Sequence, residues 1–269
     1  MSALAPPVAS VIIRAKDESA SIGEVIELLH AQRVDGDVEI IVVDSGSTDG
    51  TGDIARRLDA DVIDIPASSF TYGGALNTGC EAASAPVLVA LSAHAFPRDP
   101  DWLARMLACF DDPLVACASG CPNAPDGDDL RQRVVQEREH ARAYPYWGYG
   151  NAAGAFRANL WRSRPFRADM PGTEDKEWAW YWLERGKRVV IDPLLMVDHD
   201  HSSDPVFEVY RRFRREWQGY KMYLAPPPYG LRDVLRDWWT DAETYRSHTR
   251  ARLSHRRAAR LAGEWVGRR

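Results

Sequence analysis

The chain opens with short apolar runs that alternate with amphipathic stretches. Residues 8–14 (VASVIIR) form one β-branched run, and residues 38–43 (VEIIVV) form a second that reads as a fully buried strand. Between them Ile22, Val25, Ile26 and Leu29 recur at three- and four-residue intervals, which predicts a helix over 21–32. The alternation continues with a helix over 47–58, capped by Ser47 or Thr48, a strand over 61–65, a helix over 72–83 and a strand over 86–91. Strands separated by helices predict a parallel, doubly wound α/β sheet, whose ligands bind at the carboxyl ends of the strands.

Past residue 120 the pattern loosens. Residues 121–129 (CPNAPDGDD) read as a turn-rich connection, 130–143 as a polar helical segment, and 144–151 (YPYWGYGN) as an aromatic stretch containing glycine. A helix is predicted over 174–185, and short strands over 188–191 and 194–197. Pro226, Pro227 and Pro228 break the chain, and residues 231–268 read as one or two basic helices. The predicted domains are an α/β domain over 1–225 and a helical extension over 226–269.

Composition narrows the class. With 269 residues, 45% apolar and 27% charged, the chain matches a folded globular protein, not a disordered one. No run approaches the roughly 18 apolar residues that span a bilayer. The net charge of −5 argues against nucleic acid as a partner. Its distribution is uneven: residues 205–269 carry 15 Lys or Arg against 7 Asp or Glu, so the first 204 residues carry 19 against 32. Arginines beside Trp217, Trp238, Trp239 and Trp265 suit weak contact with an anionic membrane surface. The bland alternative is a tail that packs on the acidic body or forms a homodimer contact. The first residues lack a charged n-region and an apolar h-region, which predicts a cytoplasmic protein, with peripheral attachment at the inner membrane face as the membrane variant. Cys80, Cys109, Cys117 and Cys121 have no paired metal spacing and are expected to stay reduced.

Four constellations carry candidate chemistry. Asp44-Ser45-Gly46-Ser47-Thr48-Asp49-Gly50-Thr51 follows a buried strand and opens a helix, where backbone N–H groups favour anions and Asp44 can accept from a base or ribose. An ordinary βα turn capped by Ser and Asp is the competing reading. The glycine spacing matches neither a P-loop nor a dinucleotide fingerprint. Ser92-Ala93-His94 ends the fourth strand, where His94 is either a ligand-facing or a structural histidine. Glu174-Asp175 opens a helix and reads as a general base or as dipole compensation. Asp198-His199-Asp200-His201 can offer imidazoles and carboxylates to a divalent cation, or form a solvated turn. The aromatic stretch ending in Asn151 reads equally as a sugar-stacking face or as core.

Taken in order, these elements resemble family 2 glycosyltransferases of GT-A fold, particularly bacterial rhamnosyltransferase-like enzymes. The match runs over about residues 8–220. It rests on Ile13-Arg14-Ala15-Lys16-Asp17-Glu18, the 43–51 segment, Phe70-Thr71-Tyr72-Gly73-Gly74-Ala75-Leu76-Asn77, Leu91 to Pro97, Thr173 to Ala179 and Val197 to His201. The resemblance implies an inverting transfer of a sugar from a nucleotide-diphosphate sugar to a hydroxyl of a saccharide or lipid-linked acceptor. It implies donor binding by Arg14, Asp17, Glu18, Asp44, Gly46, Asp49, Tyr72, Asn77 and Ser92. Catalysis would fall to Asp175 with Glu174, and a divalent cation, Mn²⁺ or Mg²⁺, to His94, His199 and His201. Ser92 and His94 stand where the family carries the two acids of its Asp-x-Asp motif. The competing classes are a nucleotidyltransferase, whose Gly-rich loop is missing after the first strand, and a degenerate nucleotide- or carbohydrate-binding domain.

Overall fold

In β1 (Ala9–Ala15) successive side chains enter opposite cores: Val11 and Ile13 pack on one side of the sheet, and Ile12 on the other. The computed structural model describes residues 6–121, 123–125, 127–199, 204–244 and 255–269. After β1 come α1 (Ile22–His30), β2 (Val38–Asp44), α2 (Thr51–Arg57), β3 (Asp61–Asp64), α3 (Tyr72–Ala82) and β4 (Val87–Ser92). The chain continues with β5 (Phe96–Pro97), α4 (Trp102–Ala108), β6 (Val115–Ser119), β7 (Val134–Gln136), α5 (Arg138–Ala143), β8 (Ala153–Arg157) and α6 (Ala158–Ser163). Then follow α7 (Glu174–Leu183), β9 (Arg188–Ile191), β10 (Val197–Asp198), α8 (Val206–Tyr220), α9 (Leu231–Thr244) and α10 (His255–Arg268).

Eight strands form one sheet in the order β3-β2-β1-β4-β8-β6-β9-β7. Pairing is parallel from β3 through β4 and between β6 and β9, and antiparallel where β8 joins β4 and β6 and where β7 joins β9. The apolar faces of α1 and α4 cover one side of the sheet; α3, α6 and α7 cover the other. This is the doubly wound, mostly parallel α/β architecture that the alternation predicts. The β1–β2–β4 half puts its carboxyl ends on the edge where β8 begins, because β8 runs antiparallel to β4. That edge receives the site.

Three local expectations change. The predicted helix over 47–58 starts only at Thr51, with Gly50 as its N-cap at φ 93°. Residues 46–50 form a loop because side-chain acceptors take the backbone N–H groups that a helix would need: Asp44 Oδ1 accepts from Ser47, and Asp17 Oδ1 from Thr48, both at 2.8 Å. The predicted helix over 130–143 is β7 followed by the short α5. Val134 and Val135 favour extended backbone, and β7 pairs along β9. The strand expected over 194–197 is a 3₁₀ turn at Pro193–Leu195, with Asp192 capping Leu194, followed by the two-residue β10.

The chain divides into two compact units, one of Met1–Asp169 with Asp175–His199 and one of Met170–Glu174 with Asp200–Arg269. Residue 225 lies in the coil between α8 and α9, within the second unit. In that unit α10 seats closely on α8, since a Cβ on Gly267 would stand 2.6 Å from the Arg214 carbonyl. The Arg268 guanidinium lies 3.4 Å from the centre of the Trp217 ring and 4.3 Å from that of Tyr229, and Arg257 lies 4.9 Å from Trp238. The arginine–aromatic pairs of the tail are therefore packing contacts inside this unit. On α9, Leu231, Leu235 and Trp239 remain exposed at four-residue spacing. Among the described residues no helix is long and apolar enough to cross a membrane.

Candidate active site

The carboxyl ends of β1 and β2 feed two loops that lock together. Asp17 sits in the left-handed region at φ 53°, an uncommon conformation for a residue with a side chain. Its backbone N–H donates to Ser47 Oγ, and its carboxylate accepts from Thr48 N–H. Asp49 returns the contact, accepting from Ser19 N–H at 2.9 Å and from the Thr51 hydroxyl at 2.6 Å. These bonds hold both carboxyls below their ordinary range; the Thr48 N–H acts on Asp17, and the Thr51 hydroxyl followed by the Ser19 N–H on Asp49. Asp44 is buried at the end of β2, and Gly46 turns at φ 78° to offer its carbonyl to Lys16 Nζ. Asp17, Asp44 and Asp49 are thus brought together as a carboxylate-laced loop pair.

Beside them Glu18 Oε1 meets His94 Nδ1 at 2.8 Å. Burial raises the Glu18 carboxyl, but the hydrogen bonds from His94 and Ser21 help to outweigh it, and the net direction is down. A carboxylate on Nδ1 selects the tautomer with that nitrogen protonated and leaves Nε2 as the ring's acceptor. Nε2 lies 3.5 Å from Ser92 Oγ. The His199 ring stacks on His94, with centroids 4.8 Å apart and planes 17° apart. His201 lies outside the described residues. Among the described residues no three His, Cys, Asp or Glu side chains form a group able to hold a metal ion. The donors at hand are two imidazoles and a hydroxyl, a set whose chemistry suits a transition ion such as Mn²⁺ better than Mg²⁺.

The third cluster is built around the loop that enters β8. Asp175, half-buried on the first turn of α7, accepts from the Asn151 N–H at 3.0 Å and from the Lys176 N–H at 2.7 Å. Arg14, at the end of β1, donates to the Tyr72 carbonyl at 3.1 Å and to the Asn151 carbonyl at 3.5 Å, and lies 5.6 Å from the centre of the Tyr72 ring. Ser92 N–H donates to the Ala152 carbonyl. Glu18, His94, Ser92, Arg14 and Asp175 therefore share the edge where β1, β4 and β8 meet. Glu174 is buried, unlike its neighbour. The preceding Thr173 takes φ 61°, an outlier for a β-branched residue, at the turn that starts α7.

Asn77 is not part of this cluster. Its Oδ1 accepts from Trp161 Nε1 and Phe166 N–H, and its Nδ2 donates to the Phe166 carbonyl, so the amide ties α3 to the segment after α6. Asn77→Leu is expected to cost about 2–4 kcal/mol, from three lost bonds and two stranded donors. Urea denaturation checks it; an unchanged midpoint would show that these bonds contribute nothing. The aromatic stretch also divides. Tyr149 is core at 1% exposure, yet with Tyr144, Trp147, Trp180, Gln136 and Lys176 it lines a surface pocket. Sequence reasoning missed Asn151, whose backbone joins Arg14 to Asp175. Nothing in its neighbours' spacing distinguishes it from a loop residue.

The sheet thus carries carboxylates, stacked histidines and a helix-borne aspartate along its carboxyl edge, the edge where doubly wound α/β folds bind ligands. The sequence description of Glycosyl transferase family 2 matches residues 10–173, and the chain belongs to that family. It is 31% identical over 197 residues to an O-antigen chain rhamnosyltransferase of Salmonella typhimurium, a match covering 65% of this chain and 61% of the relative. It is 26% identical over 212 residues to a pre-mycofactocin glycosyltransferase of Mycobacterium tuberculosis, covering 72% and 43%. The chain thus spans less than two thirds of the length of either relative. Its fold matches a mannosyltransferase from Pyrobaculum calidifontis in complex with GDP-mannose and Mn²⁺, with a TM-score of 0.64 and 23% identity over 95% of this chain and 74% of that one. It also matches a Mycobacterium tuberculosis glucosyl-3-phosphoglycerate synthase solved with Mn²⁺ and UDP, with a TM-score of 0.55 and 20% identity over 78% of this chain and 80% of that one.

Proposed function

We infer that the chain is an inverting glycosyltransferase, moving a sugar from a nucleotide-diphosphate sugar to a hydroxyl of a saccharide or lipid-linked glycan. The observation that carries this reading is Asp175, half-buried and oriented by two backbone N–H groups on the same sheet edge as Glu18 and His94. In the step proposed, the acceptor oxygen attacks the anomeric carbon while its proton passes to Asp175. The bond from that carbon to the diphosphate oxygen breaks, and the nucleoside diphosphate leaves with the electron pair. One carboxylate is enough, because the leaving group is already good.

Asp17, Asp44 and Asp49 shape the loops on which the base and ribose would rest. Arg14 braces the carbonyl of Tyr72 against the loop entering β8, whose Asn151 N–H bonds Asp175. A divalent cation, Mn²⁺ as in the two fold relatives or Mg²⁺, would be held by His94 and His199, and when bound would stabilise charge on the departing diphosphate. The O-antigen relative supports a glycan or lipid-linked glycan as acceptor, and the exposed Leu231, Leu235 and Trp239 on α9 suit work at the inner membrane face. Nucleotide release from a panel of UDP-, GDP- and dTDP-sugars, with and without Mn²⁺, tests the reading. Release from at least one donor, stimulated by a saccharide acceptor, is expected. Binding without release from any donor would instead indicate a degenerate binding domain.

A further inference from the structure

The loop that enters β8 carries three buried hydrogen-bonding atoms for which the described residues provide no partner. Asn151 is 1% exposed, and neither its Oδ1 nor its Nδ2 is hydrogen-bonded. Two residues earlier Tyr149, equally buried, has an unpartnered hydroxyl. Its ring lies against Gly154, where a Cβ would stand 2.7 Å from Cε2, so packing fixes the hydroxyl where no bond does. Burial, with smaller contributions from Cys117 and Asp175, pushes the Tyr149 hydroxyl well above its ordinary pKa, and it stays an O–H donor.

The surroundings argue against a mere packing fault. The Asn151 backbone is anchored at both ends, with its N–H on Asp175 Oδ2 and its carbonyl on Arg14, and the next carbonyl accepts from Ser92 N–H. The Asn151 backbone is therefore fixed against Asp175, the proposed base, while its side-chain amide stays buried and unpartnered. An apolar residue would fill the same space without stranding a donor and an acceptor, since an unsatisfied buried amide is destabilising. An amide also matches a hydroxyl, because each both donates and accepts. Sites that discriminate by hydroxyl hold such groups ready, and lose affinity for analogues that leave them unpaired.

We propose that Asn151 is a substrate-binding residue whose side-chain amide, backed by the Tyr149 hydroxyl, recognises a sugar hydroxyl presented beside Asp175. This rests on the glycosyltransferase reading above. Gly148, at φ 127°, supplies the left-handed backbone that this loop takes before Tyr149 and Asn151. Transferred sugar and acceptor sugar both carry hydroxyls, and the experiment separates them.

Asn151→Ala and the isosteric Asn151→Asp are compared with wild type in kcat and KM, with donor and acceptor varied in turn. Melting temperature and calorimetric binding of UDP and GDP are measured alongside. For Asn151→Ala, kcat/KM for one of the two sugars is expected to fall roughly 10- to 100-fold. Its melting temperature should hold or rise, because an unpaired amide has gone, and nucleoside diphosphate binding should stay within about twofold. Asn151→Asp keeps the shape but loses the donor, and is expected to show the same loss. A KM rise confined to the donor assigns the hydroxyl to the transferred sugar; one confined to the acceptor assigns it to the incoming sugar. If both variants keep kcat/KM within about threefold of wild type for both sugars, the proposal is overturned. It is equally overturned if Asn151→Ala melts lower while each folded molecule keeps wild-type kcat/KM, since that is a structural role. A wild-type chain that releases no nucleotide overturns the functional reading itself.

Discussion

Asp175→Asn is expected to lower turnover by roughly 10²–10⁴, the usual worth of a positioned general base, while donor binding stays near wild type. The substitution keeps the shape of the side chain and removes its ability to take a proton. Both carboxylate oxygens accept a backbone N–H, from Asn151 and from Lys176. An amide has only one oxygen, so one of those bonds is lost, at a net cost of about 1 kcal/mol. That cost shifts the melting temperature slightly and leaves the fold intact. Nucleotide release gives the rate, and calorimetry with the nucleoside diphosphate confirms that the donor side is undisturbed. Retention of more than about a tenth of wild-type turnover would sink the assignment.

Much of this fold is legible in the chain. The apolar runs of β1, β2 and β4 and the three- and four-residue spacing in α1 are signals of burial, and burial is what those segments experience. The errors fall where local side-chain bonds compete with a regular pattern. Ser47 and Thr48 look like helix caps, but Asp44 and Asp17 take their N–H groups first, and the helix waits for Gly50 to turn the chain. Val134 and Val135 sit in a polar context that hides a strand, because a three-residue edge strand is too short to show a period of two.

The site is legible in parts for a related reason. His94 follows β4 by two residues and Asp175 stands in the first turn of α7, so chemistry and position coincide in the sequence. Asn77 sits in an equally suggestive segment, yet its amide is fully engaged in joining α3 to the chain after α6. Asn151 is tied to Asp175 through its backbone, and a backbone bond to a residue 24 positions away leaves no mark on composition or spacing. Whether a candidate polar residue meets a ligand or a carbonyl is decided by tertiary contacts.

Replacing His94 by Ala is expected to weaken Mn²⁺ binding, measured by electron paramagnetic resonance in the presence of nucleoside diphosphate, by more than about 100-fold. Glu18→Ala should weaken it by about 10–100-fold, the range for losing an outer partner that orients a ligating histidine. The order follows from geometry. His94 would offer the ligating nitrogen itself, and Glu18, 2.8 Å from Nδ1, fixes the tautomer and raises the basicity of the opposite nitrogen. The usual carboxylates of an Asp-x-Asp motif are replaced by Ser92 and His94, so few alternative protein donors can compensate for a lost imidazole. The same preference predicts that Mn²⁺ binds more tightly than Mg²⁺, because imidazole nitrogen suits the transition ion and the harder ion favours oxygen. Turnover should fall with occupancy in each variant and recover in part at high Mn²⁺ for Glu18→Ala, whose ligand is misoriented but present. Equal Mn²⁺ affinity in His94→Ala and wild type, together with full turnover in excess chelator, would transfer the stabilisation of the departing diphosphate to cationic side chains, among them Arg14, which reaches the loop that enters β8.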